Sequence, residues 1–147
     1  KTDDRLTLLE DLLKSAGVEA YFSTEISKLI WEKFIFLSCI ATATSYLNKT
    51  VGELLKDHKP YLLSLINEAS AIAKAKQINV DENTGERAMA HYEALPYKAT
   101  SSMQRDFNDG KPQTELNSIT GYIVQQGKLL NIATPNFEQA YQVLLNK

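Results

Sequence analysis

Lys33 is the residue whose neighbours least suit its chemistry. Glu25, Lys28 and Glu32 recur at three- and four-residue spacing and read as the solvated face of a long helix. Lys33 falls about 100° round that helix from Glu32. Its angular neighbours are Ile26, Leu29, Ile30, Phe36, Leu37 and Ile40, so the spacing puts an ammonium in the middle of the core-facing stripe. Two readings follow. Either the stem packs and the amine reaches water at an edge, or the side chain stands in a cleft that lowers its pKa and suits it to proton transfer. The other candidates offer less. His58 and His91 lie far apart without metal-ligand spacing and read as surface residues, so no metal site is expected. Cys39 sits in an apolar run and reads as a small hydrophobe. On the residues alone, Ser101 and Ser102 are helix caps, and Glu115 is an acid in the first turn of its helix.

The elements that would carry these residues are all helical. Six Gly and four Pro in 147 residues leave little punctuation, which favours long helices with short connections. We expect seven or eight helices and no strand. The first runs from about Asp3 to Ser15, with Leu6, Leu9, Leu12 and Leu13 as an apolar stripe and Gly17 as its stop. The Lys33 helix starts at Ser23 as N-cap and ends near Leu47. Thr50 to Glu53 has capping-box form and opens a short helix to about Asp57. Pro60 opens another, with Leu62, Leu65, Ile66, Ala69, Ile72 and Ala73 on its apolar face. Asn83 to Glu86 is a second capping-box candidate, for a helix that Pro96 terminates. Ser101, with Gln104 three residues on, caps a short helix to Asn108, and Asp109 to Pro112 is a turn. A helix from near Pro112 to Leu130 follows, and Thr134-Pro135 caps the last one.

Bulk properties narrow the function classes. A formal charge of -2 without a run of Lys or Arg gives nucleic acid and anionic lipid no footprint. The longest apolar stretch, Phe34 to Ile40, is too short to span a bilayer. The first residues lack signal-peptide character, and a lone cysteine suits the cytoplasm. The start without Met and the absence of G-x-G-x-x-G point to one part of a longer protein, here a single helical domain over residues 1–147.

Several short elements then fall into an ordered set. Trp31-Glu32-Lys33-Phe34 is similar to the W-x-K-[LF] element of ketopantoate reductases. Ser101 to Asp106 resembles their S-S-M-x-x-D element, and Gly110-Lys111 with Thr114-Glu115-Leu116 resembles G-[RK]-x-T-E-[IL]. Asn117, Gly121, Tyr122, Gly127 and Ala133-Thr134-Pro135 follow in family order, and Glu68 stands where members often have Glu. The resemblance covers roughly Glu25 to the C-terminus. It implies a helical C-terminal domain like that of 6-phosphogluconate dehydrogenase. An N-terminal Rossmann domain absent from this chain would bind most of the NADPH, with a 2-oxo acid in the cleft between the two. It also implies Lys33 as the general acid on the ketone oxygen, Glu115 as the partner of the substrate hydroxyl, and Ser102, with Ser101 and Glu68, in substrate binding.

The sequence departs from that pattern at two positions. The family helix continues from its lysine with Asn one turn on and often another a turn later, whereas this chain has Leu37 and Ala41. One extra residue also lies between Ser102 and Glu115, at Pro112-Gln113. Three functions therefore stand: reduction of 2-dehydropantoate to pantoate, reduction of another 2-oxo acid, or a non-catalytic helical module for binding or homodimerisation. Dimerisation would use the apolar face that otherwise meets the Rossmann domain.

Overall fold

The computed structural model describes residues 4–147; the expected helix start at Asp3 lies outside them. All regular structure among the described residues is helical: α1 (Asp4–Ser15), α2 (Ile26–Leu47), α3 (Val51–Asp57), α4 (Lys59–Ala75), α5 (Thr84–Glu93), α6 (Ser102–Asn108), α7 (Thr120–Leu130) and α8 (Pro135–Leu144). Helix α2 is the axis, packed against α4, α6 and α8, while α4 also meets α3, α5, α7 and α8. Tyr92, Phe137, Ile35, Leu62, Leu65 and Ile72 are among the fully buried side chains of the main core. A second, smaller cluster joins Ala41, Met103, Leu116 and Leu144.

Where a cap could be read in the sequence, its outcome depends on the side chain's alternatives. Thr50 forms the full box: its hydroxyl accepts from the Glu53 amide, and Glu53 Oε2 accepts from the Thr50 amide at 2.8 Å. Ser101 caps α6 by accepting from the Gln104 amide, but the Gln104 side chain turns away to donate to Asn48 Oδ1. The second expected box does not form. Asn83 makes no side-chain cap, and the Thr84 hydroxyl donates to the Asp81 carbonyl instead. Helix α5 ends at Glu93, short of Pro96. Ser23 is not the N-cap of α2 either. Its hydroxyl accepts from the Glu25 amide in a local turn, and the helix starts at Ile26.

Two larger expectations are corrected. Residues 115–119 form a turn, and the helix expected from Pro112 begins only at Thr120. Leu116 turns inward to join Ala41, Met103 and Leu144, and Ile119 leaves the helical path at φ -103°, ψ -80°. Glu115 is thus a turn residue, not part of a helix's first turn. In α1 the leucine stripe is real but faces no core: among its described residues none is buried, and Leu6, Leu9 and Leu13 line a hollow with Glu10, Ala20, Tyr21 and Phe22. Gly17 does stop that helix, at φ +77°.

Cys39 is fully enclosed, and burial pushes its thiol far above the usual range. The native protein should therefore be nearly inert to a thiol reagent such as Ellman's at pH 8. Unfolding in guanidinium should expose its one cysteine to full reaction. Equal rates in both states would contradict this placement.

Candidate active site

The first half of α2 is turned opposite to the expected sense. Lys28 and Glu32, read as the solvated face, lie on the same side as Ile35 and Cys39 and face α5. Lys28 Nζ donates to Asp81 Oδ1 at 2.6 Å, and Arg87 reaches Asp81 Oδ2 at 3.1 Å and Glu32 Oε1 at 3.3 Å. The Lys28 hydrogen bond, more than any other contact, holds the Asp81 carboxyl below its usual range, and the same bond raises Lys28. The apolar stripe instead faces outward, with Ile26, Leu29, Ile30 and Leu37 all exposed. Lys33 projects from that open face; it neither sits in the core nor snorkels out of it.

Aromatic packing fixes this part of the helix. Phe34 lies edge-on between Trp31 and Tyr122, with ring centroids 5.6 and 5.5 Å apart. A buried 2.7 Å bond between the Thr42 and Thr120 hydroxyls ties α2 to the start of α7, and thereby places the 115–119 turn beside α2.

Lys33 lines a hollow of about 270 Å³ with Glu32, Phe36, Leu37, Arg87 and His91. A neighbouring hollow of about 380 Å³ holds Ser101, Ser102 and Glu115 at one edge. Phe36 and Leu37 line both, so the two hollows adjoin across a shared wall. Ser102 Oγ donates to Glu115 Oε2 at 3.2 Å across 13 residues of sequence. The structure thus brings Ser102 and Glu115 together and seats Lys33 next door. Ser101 is present at the rim, but its hydroxyl is committed to the Gln104 amide and, at 2.7 Å, to Thr44.

Glu68 lies elsewhere and lines neither hollow. It is 9% exposed, and its carboxylate accepts from the Asn136 amide at 3.0 Å, Asn136 Nδ2 at 2.6 Å and the Phe137 amide at 3.1 Å. It caps α8 from outside that helix, a task for which Thr134 makes no side-chain bond.

Sequence reasoning missed Arg87 and His91 as neighbours of Lys33. His91, expected on the surface, is exposed and packs edge-on to Phe36 at 5.6 Å. The only signal was their four-residue spacing, which puts them on one face of a helix without saying what that face meets. Among the described residues no group of three or more His, Cys, Asp or Glu could hold a metal ion, and no helix is long and apolar enough to cross a membrane.

Residues 25–147 match the family model described as ketopantoate reductase PanE/ApbA C terminal. The chain belongs to the ketopantoate reductase family. It is 26% identical over 140 residues to an uncharacterized oxidoreductase of Bacillus subtilis, YkpB, covering 94% of this chain and 46% of that one. It is 26% identical over 141 residues to the 2-dehydropantoate 2-reductase of Vibrio cholerae, covering 94% and 47%. The crystal structure of 2-dehydropantoate 2-reductase from Porphyromonas gingivalis superposes with a TM-score of 0.79 at 29% identity, over 99% of this chain and 43% of that one. The chain therefore spans about half the length of these relatives. The family match begins at residue 25, after α1 and just before α2.

Proposed function

We propose that this chain is the C-terminal substrate domain of a two-domain, NADPH-dependent reductase that converts a 2-oxo acid to a 2-hydroxy acid, as 2-dehydropantoate 2-reductases do. The observation that carries the reading is the Ser102–Glu115 pair in a hollow two of whose lining residues, Phe36 and Leu37, also border Lys33. The residues described here do not fit a dinucleotide. They form no strand, and the sequence has no glycine-rich phosphate loop, so NADPH is assigned to the half that the longer relatives possess. That cofactor supplies a hydride to C2 of the oxo acid.

The chain's own residues supply binding and the proton. Lys33 Nζ gives a proton to the ketone oxygen and stabilises the negative charge growing there, and water returns the proton afterwards. Ser102 can exchange its bond to Glu115 for one to the substrate carboxylate. Glu115 is then free to accept from a substrate hydroxyl. Arg87 adds no free charge, because Glu32 and Asp81 already hold it.

Purified together with its N-terminal half, the protein should oxidise NADPH only when a 2-oxo acid is present, read as loss of absorbance at 340 nm. NADPH binding without turnover of any 2-oxo acid would favour the non-catalytic module.

A further inference from the structure

We infer that the Ser102–Glu115 hollow selects 2-oxo acids with an apolar side chain, branched aliphatic or aromatic, over those whose side chain carries a hydroxyl. The inference rests on the reading of this chain as a substrate domain. It is carried by the walls. Leu37, Ile40, Ala41, Val51, Leu95 and Ile119 form them, and Leu37 is 42% exposed and open to a ligand. The volume, about 380 Å³, lies within the range of small-molecule sites.

Most of the polar groups close to these walls are already engaged. The Ala99 and Tyr97 carbonyls accept from the Val51 and Gly52 amides at 2.9 Å, and the Ile40 and Phe36 carbonyls from the Thr44 and Tyr92 hydroxyls. The Thr100 hydroxyl accepts from Arg105, and Ser101 is spent on Gln104 and Thr44. Ser102, Glu115 and the O–H of Thr100, which only accepts from Arg105, remain to meet a ligand, and Ser102 and Glu115 are both exposed. A substrate carboxylate anchored by Ser102 would lay its side chain along Leu37 and Leu95. A hydroxyl there gives up its water without a partner. Meeting Glu115 instead would keep the side chain at the rim and leave the apolar walls uncovered.

The test compares kcat/KM of the protein with its N-terminal half, with NADPH, for 4-methyl-2-oxopentanoate and phenylpyruvate against 2-dehydropantoate. A preference of about 10- to 100-fold for the apolar acids is expected, the range that a shaped apolar pocket gives. Leu37→Asn should cut that preference about tenfold, mainly through KM for the apolar acids. The exposure of Leu37 lets the variant fold, which an unchanged melting temperature verifies. Preference for 2-dehydropantoate, or a ratio indifferent to Leu37→Asn, would overturn the inference while leaving the reductase reading intact. Failure to reduce any 2-oxo acid would overturn both.

Discussion

Lys33→Ala should lower kcat/KM for the preferred 2-oxo acid by about 10²- to 10⁴-fold, the usual worth of a positioned general acid. The unfolding free energy should stay within about 0.5 kcal/mol of the parent, as for other exposed positions. Both halves follow from one placement. Lys33 stands on the open face of α2, in a hollow beside Phe36 and Leu37, so truncating it opens no cavity in the core. Its ammonium is compact and can surrender a proton, whereas a guanidinium holds its proton too tightly to serve as the acid. Lys33→Arg should therefore recover less than a tenth of the lost rate while keeping the positive charge. The check is NADPH oxidation in the two-domain protein, beside urea denaturation of each variant. A loss below about threefold would remove Lys33 from the chemistry.

Glu68→Ala should behave in the opposite way, costing about 2–4 kcal/mol of stability, the scale of a buried charged acceptor lost from two amides. Its carboxylate receives the Asn136 and Phe137 amides, two of the donors that a helix N-terminus leaves without partners. Those amides open α8, which contributes Phe137, Ala140 and Leu144 to the interior. Without the carboxylate, two buried or half-buried donors lose their acceptor and the helix loses its anchor on α4. Urea denaturation measures the loss directly. The resemblance to ketopantoate reductases instead suggested a substrate contact for Glu68, and the two roles separate cleanly. A substrate contact would raise KM with stability unchanged; the cap lowers stability with KM unchanged wherever the protein is folded.

The sequence made the helical architecture and the short caps legible because both depend on neighbours within a turn. Thr50 with Glu53, and Ser101 with the Gln104 amide, satisfy each other locally and appear as read. It was misleading where the decision belonged to distant residues. The periodicity of α2 defined a polar and an apolar side, and the usual rule put the apolar side inward. Asp81 and Arg87, more than fifty residues away, reverse that choice by giving Lys28 and Glu32 charged partners just before and on α5. Glu32 is only 11% exposed as a result. The role of Glu68 was hidden for the same reason, since its partners lie 68 and 69 residues further on.

The candidate site shows the same division. Ser102 and Glu115 were singled out because they occur in an ordered motif string, not because their spacing says that they touch. Glu115 was misassigned to a helix because the burial of Leu116, which bends the 115–119 turn, comes from Ala41, Met103 and Leu144 in other elements. Leu37 and Ala41 were legible as departures from the family pattern. That both line the hollow beside Ser102 and Glu115 depends on packing between elements, which no local spacing shows.

The most direct test of the account is a crystal structure of the two-domain protein with NADP⁺ and a bound 2-hydroxy or 2-oxo acid. The C2 oxygen should lie within hydrogen-bond reach of Lys33 Nζ, the carboxylate on Ser102, and the side chain against Leu37. A ligand bound away from these hollows, or one whose C2 oxygen meets some other proton donor with Lys33 turned to solvent, would contradict it.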